Sequence, residues 1–165
     1  MESNFPVNAS QWYHSVVNFV SAGGGVVTGE WIVWSIGAAG AHSGLEPIIP
    51  VTYAGSYITN TTTPNTHTQA TADSVLNNGL SYCFSFYMDN LGGSESCLTT
   101  KSSASTFYTS DHGGSYCPSG NTGAACWNYA SGRVISFSTL ISSLELSDPY
   151  YTTLFVNSVE WAGKW

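Results

Sequence analysis

"SYCFSFYM", residues 81–88, is the stretch that most directly indicates a fold class, because bulky side chains alternate along it. Tyr82, Phe84, Phe86 and Met88 share one face of an extended chain, and the positions between them share the other. A period of two residues is typical of a β-strand with one face toward a core. The segment therefore predicts a strand.

One helix is predicted upstream of this strand, over about residues 9–21. Trp12, Val16, Phe19 and Val20 are spaced to lie on one helical face. A run of three glycines follows and ends the pattern.

The rest of the chain consists of short β-rich segments separated by clusters of Gly, Pro, Ser, Thr and Asn. This pattern predicts an all-β, mainly antiparallel fold, a β-sandwich or small barrel of about 6–8 strands with one N-terminal α-helix. We expect residues 1–165 to form a single domain. The other predicted strands are 30–36, 49–59, 105–110, 133–141 and 150–162, and residues 71–79 are predicted to be a short helix or a turn.

The charge of the chain excludes several classes of partner. Lys101, Arg133 and Lys164 are its only basic residues besides histidine, and the formal net charge is −7. Nucleic acids and anionic membrane surfaces both require clusters of basic side chains, so neither is an expected partner. The longest apolar run, residues 31–41, is shorter than the roughly twenty residues that span a bilayer, and we expect no membrane insertion.

The cysteines at 83, 97, 117 and 126 lack the close spacing of a zinc site. If the segment between the first two forms a hairpin centred on Asn90, Cys83 faces Cys97 at a distance that suits a disulfide. Cys117 and Cys126 enclose a turn-forming loop. We predict the disulfides Cys83–Cys97 and Cys117–Cys126, with four free thiols or a metal site as the alternatives.

Two disulfides would place the protein in an oxidising compartment. The glycosylation sequons at Asn8 and Asn60 agree with export. We expect an extracellular protein, secreted with its leader absent from this chain, or a protein of a virion or cell surface.

One carboxylate pattern suggests catalysis. Glu30 precedes Trp31 at the start of one predicted strand, and Glu160 precedes Trp161 near the end of another. Glycoside hydrolysis uses two carboxyl groups about 5 to 10 Å apart, and a tryptophan beside one of them raises its pKa. A small glycosidase using Glu30 and Glu160 is therefore one hypothesis, and exposed glutamates at strand ends are the alternative.

Aromatic residues near turns favour binding without catalysis. The loop after Ser115 offers aromatic faces and amide groups, a mixture suited to sugars, and loops are where binding residues collect. The alternative is that these aromatics fill the edge of the core. The predicted ligand-binding residues are Tyr116, Asn121, Trp127, Asn128 and Tyr129.

The leading hypothesis is an exported, disulfide-stapled β-sandwich that acts as a non-enzymatic binding module for glycans or other cell-surface components. It would be a lectin-like protein or a small secreted effector, with no cofactor and no metal. A self-associating coat, pilus or filament subunit is the structural alternative, because interface cores are depleted in charge.

Overall fold

The fold is β-rich and includes three α-helices among the residues that the computed structural model describes, which are 9–59, 62–111, 117 and 121–164. The elements in chain order are α1 (Ala9–Ser21), β1 (Gly25–Thr28), α2 (Glu30–Gly37), a 3₁₀ helix (Ser43–Ile48), β2 (Val51–Ile58), β3 (Asn65–Gln69), β4 (Cys83–Phe86), β5 (Glu95–Thr100), β6 (Ser105–Ser110), β7 (Asn121–Tyr129), β8 (Gly132–Phe137), a 3₁₀ turn (Glu145–Ser147) and α3 (Pro149–Gly163).

Six of these strands form a mixed sheet in the order β1-β8-β7-β6-β3-β4. The first pair is parallel, with Val27 opposite Ile135, and the other pairs are antiparallel. β2 and β5 form a separate antiparallel pair. The expected strand content is confirmed, but the expectation of an all-β, antiparallel sandwich or barrel is corrected, because helices cover the sheet and one strand pair is parallel.

The six-stranded sheet is covered on both faces. Phe86, Phe107 and Phe137 belong to the core on the side of α3. Val134 and Ala125 point to the other side, where they meet Val20 of α1 and Val33 of α2. Because each face needs its own cover, a sheet with helices on both sides results.

The predicted helix over residues 9–21 is confirmed, but its buried face is shifted. Val20 is fully buried, and Tyr13, Val16 and Val17 pack against the same core. Trp12 is 50% exposed and Phe19 is 56% exposed. The core therefore contacts the side of α1 that carries Tyr13 and Val17, and the side that carries Trp12 and Phe19 faces away from it.

The segment 30–36, predicted as a strand, forms α2 instead. A continuous apolar run does not by itself distinguish a buried strand from a buried helix. Val33 is buried and Ile32 and Ile36 are partly buried, which matches helical rather than alternating burial.

The segment 150–162, also predicted as a strand, lies within α3. The Asp148 carboxylate accepts hydrogen bonds from the N–H groups of Tyr150 and Tyr151, and Pro149 occupies the first turn. Asp followed by Pro is a helix-start signal that outweighs the β-branched and aromatic residues after it. Tyr151, Leu154 and Ser158 are buried at helical spacing.

The predicted cysteine pairing is wrong. The disulfide joins Cys97 to Cys117, whose Cα atoms are 5.5 Å apart, while Cys83 and Cys126 are free thiols. The hairpin centred on Asn90 does not form, because β4 pairs with β3 and β5 pairs with β2. Cys83 therefore faces Thr68 in a different sheet from Cys97.

No helix within the described residues has the length and apolar character needed to cross a membrane.

Candidate functional site

The candidate site lies at the edge of the sheet where the parallel strands β1 and β8 end side by side, Thr28 beside Ser136. Gly29 and α2 follow one strand, and residues 138–142 follow the other. In open α/β sheets, ligands bind in the crevice beyond the carboxyl ends of the strands. The topology thus directs attention to this edge.

A cavity of about 290 Å³ opens between these two segments. Two large side chains of its lining remain about half exposed to solvent, Trp31 at 54% and Leu91 at 56%. The lining is mostly apolar, and it consists of Gly29, Glu30, Trp31, Ile32, Leu91, Leu140, Ile141 and Ser142.

Glu30 is the acidic residue of this lining, and only 3% of its surface is exposed. Ser96 Oγ donates a hydrogen bond of 2.7 Å to Oε1, and no other described residue donates to the carboxyl. Burial raises the pKa of Glu30, and the Ser96 hydrogen bond opposes that shift. The carboxyl is therefore a poorly solvated acceptor, and its second oxygen has no partner among the described residues.

Backbone hydrogen-bond donors lie at the start of the helix that begins with Glu30. The Glu30 N–H donates to Thr139 O at 2.9 Å, which fixes the start of α2 against the segment after β8. The N–H groups of Trp31 and Ile32 belong to the first helical turn and have no partner within the helix. The residues that line the cavity thus include one with a carboxyl acceptor and two with backbone donors that the helix leaves unpaired.

A second, wholly buried carboxyl, that of Glu95, supports the site from behind. Its Oε1 accepts hydrogen bonds from Ser138 Oγ at 2.6 Å and Asn121 Nδ2 at 2.8 Å, and its Oε2 accepts one from Asn65 Nδ2 at 3.3 Å. Burial raises the pKa of Glu95 to about 7 against the effect of these hydrogen bonds. Because its donors come from β3, β7 and the end of β8, Glu95 ties three strands together at this edge.

On the opposite side of the cavity, Ser142 contacts two further carboxyl groups. Its Oγ donates to Glu145 Oε2 and lies 3.1 Å from Asp89 Oδ2. Glu145 Oε1 accepts the Asp89 N–H at 2.8 Å. These contacts fix the loop after β4 to the segment after β8.

The structure does not gather the predicted ligand-binding residues into one surface. Asn121 is 3% exposed and donates to Glu95, while Trp127 lies at the other end of β7. Trp127 Nε1 donates to Ile48 O at 2.8 Å, its ring lies 5.8 Å from that of Tyr129, and Asn128 is exposed. Tyr116 and the sequon residues Asn8 and Asn60 lie outside the described residues. A ligand site at this loop stays a prediction.

Glu30 and Glu160 lie at opposite ends of β1. Ala162, just after Glu160, packs against Gly25 at the start of the strand, where a Cβ atom would be 2.3 Å from the Ala162 carbonyl oxygen. Glu30 follows the end of the strand, so roughly 15 Å of extended chain separates the two places. Glycosidase carboxyl pairs are about 5 to 10 Å apart.

Sequence reasoning identified Glu30 and Trp31 but missed Glu95, Ser142 and Leu91. Glu95 sits in "GGSESC", where small polar neighbours give no sign of burial. Leu91 and Ser142 reach the cavity, and Glu95 the layer behind it, through contacts between segments distant in sequence, so no local pattern marks them.

No family model matches the sequence, and no curated protein matches it significantly. Solved structures do resemble it in fold. Two are cytoplasmic proteins of Salmonella typhimurium, one with 19% identity and a TM-score of 0.68 and one with 14% identity and a TM-score of 0.67. The matches cover 91% and 92% of this chain and 59% and 60% of those proteins.

A third similar structure is the β-galactosidase of Bacillus circulans sp. alkalophilus, with 14% identity and a TM-score of 0.64. That match covers 93% of this chain and 21% of the enzyme. The chain therefore spans less than two thirds of each of these proteins, and at such identities the likeness shows a shared β-rich fold alone.

The extracellular location expected from the cysteines is corrected by these comparisons, because the two Salmonella proteins are described as cytoplasmic. The structure also weakens the physical argument for that expectation. It was based on two disulfides, whereas the structure has one disulfide and two free thiols.

Proposed function

We propose that this chain is a non-enzymatic carbohydrate-binding module whose cavity beside Glu30 and Trp31 holds one sugar unit. The observation that carries the proposal is a half-exposed indole next to a buried carboxyl acceptor and unpaired backbone donors. Binding pockets typically combine apolar walls with a few placed polar groups.

The chemistry of this lining suits a hydroxylated ligand. A hydroxyl group both donates and accepts, so it can donate to Glu30 Oε2 while it accepts from the N–H of Trp31 or Ile32. The C–H face of a sugar ring can pack on the Trp31 indole, as a large and rigid apolar surface allows. Leu91, Leu140 and Ile141 supply the remaining apolar wall.

The proposal excludes catalysis by the predicted glutamate pair, because Glu160 lies at the other end of β1. Glu30 is the one acid among the described residues that line the cavity. The resemblance to about a fifth of a β-galactosidase agrees with a carbohydrate ligand, but a share of that size gives no basis for assigning that activity to this chain.

Replacing Trp31 with alanine should weaken binding at least about tenfold, because the variant loses the stacking surface. The measurement is calorimetric titration against a panel of oligosaccharides, with reducing ends assayed in parallel. Trp12→Ala is the matched control, since Trp12 is exposed to a similar extent, 50%, but lies on α1.

Equal binding by wild type and Trp31→Ala would remove the site from this cavity. A loss in Trp127→Ala but not in Trp31→Ala would instead favour the loop predicted from the sequence. Release of new reducing ends by the wild type would show that the module is an enzyme.

A further inference from the structure

The sequence has three Lys and Arg residues. None of them lines the cavity, and each already forms a hydrogen bond or an ion pair with another residue of the chain. Lys101 follows the far end of β5 and pairs with Glu46 at 2.6 Å. Arg133, at the start of β8, donates to Trp161 O at 2.8 Å and stacks over the Trp161 ring. Lys164 donates to Ser131 O. None of these cations is available to neutralise Glu30.

Carboxyl groups, by contrast, gather at the cavity edge. Glu30 lines the cavity, and Ser96, its hydrogen-bond partner, directly follows the buried Glu95. Ser142, also in the lining, contacts Asp89 and Glu145. The N-terminus of α2 contributes only about half a positive charge. A cationic group of a ligand would therefore find acceptors here and no competing basic side chain among the described residues that line the cavity.

We propose that the sugar unit bound in this cavity carries a free amine, whose ammonium group pairs with the Glu30 carboxylate while its ring packs on Trp31. The inference rests on the proposed carbohydrate-binding function and narrows its ligand to amino sugars. An ammonium group has three donors, and the residues that line the cavity offer it two acceptors, the unpaired Glu30 Oε2 and the oxygen of the Ser142 hydroxyl. The Trp31 ring also attracts a cation placed within about 6 Å of its centre.

The test compares oligosaccharides of glucosamine and of galactosamine with their N-acetylated forms, which share ring stereochemistry and lack the charge. The wild type should bind an amine form about ten to a hundred times more tightly than the acetylated form, as expected for a hydrogen bond to a charged group. Glu30→Gln, which keeps size and shape, should abolish this preference. Glu160→Gln, with the same change in net charge at an exposed position, should retain it.

The outcomes separate the two proposals. Equal binding of amine and acetylated forms, still weakened by Trp31→Ala, would overturn the amine inference and leave the carbohydrate module intact. An amine preference that survives Glu30→Gln would show that Glu30 is not the partner. If the wild type bound neither the amine form nor the acetylated form, and no neutral sugar, both proposals would be overturned. Circular dichroism of each variant confirms that the fold is retained.

Discussion

Replacing Glu95 with alanine should lower the free energy of unfolding by about 3 to 5 kcal/mol, measured by urea denaturation. The variant leaves the side-chain donors of Asn121, Ser138 and Asn65 without their acceptor. All three are buried, and an unsatisfied buried donor costs roughly 1 to 3 kcal/mol. A loss of this size approaches the total stability of a small domain.

Two further variants make this prediction specific. Glu95→Gln keeps one acceptor oxygen but turns an amide toward a donor, so it should cost less than Glu95→Ala. Glu160→Ala, at an exposed position, should change stability by no more than about 0.5 kcal/mol. If Glu95→Ala were as stable as wild type, the hydrogen bonds to Glu95 would not hold the three strands together.

The Glu95 variants also carry a pH signature. Because burial raises the pKa of Glu95 to about 7, above the ordinary 4.5, the folded state favours the protonated acid. Its contribution to stability is fully present below pH 4.5 and is lost as pH rises through 7. Glu95→Gln cannot ionise, so the stability of wild type relative to this variant should fall over that window.

Acidification should destabilise the protein through His67, with the opposite sign. His67 is fully buried among Phe84, Phe86 and Tyr108, and neither of its ring nitrogens has a hydrogen-bond partner. Burial lowers the pKa of His67 to about 3, against the effect of Asp111, so the fold requires the neutral ring. This contribution is complete above pH 6.5 and is lost as pH falls toward 3.

By pH 4.5, His67 should lower the free energy of unfolding by on the order of 2 to 3 kcal/mol. The reason is that the unfolded chain binds a proton at this histidine and the folded chain does not. His67→Phe removes the titrating group from an aromatic environment but leaves Glu95 in place, so the stability of wild type relative to this variant should fall between pH 6.5 and 4.5. His14→Phe serves as the control, because His14 is exposed on α1. A constant difference in stability between wild type and His67→Phe over this range would contradict the prediction.

Strands β3 and β7 position both the acid-sensitive histidine and the residues that support the proposed site. His67 lies on β3 beside Phe84 of β4, and a Cβ atom on Gly123 of β7 would be 2.8 Å from its Nε2. Glycine at 123 therefore leaves room for the imidazole. The same strands present Asn65 and Asn121 to Glu95 at their ends.

The sequence by itself determined the elements whose patterns are local. The alternation around Phe84 and Phe86 defined β4, the segment 105–110 matched β6, and the spacing of α1 together with the following glycines defined that helix. Composition identified an acidic chain with three basic residues. Glu30 and Trp31 were visible as a pair, although their predicted strand forms a helix. These features depend on neighbouring residues, which the sequence lists directly.

Only the tertiary structure decided which strands pair, which cysteines meet and which acids are buried. The apolar run after Glu30 suits a strand or a helix, and packing of Val33 against the second core selected the helix. Cys97 meets Cys117 and Glu95 meets Asn121 because β5 packs beside the start of β7. These contacts join residues twenty or more positions apart. Such contacts depend on the summed burial of the whole sheet, and no short stretch of sequence encodes that sum.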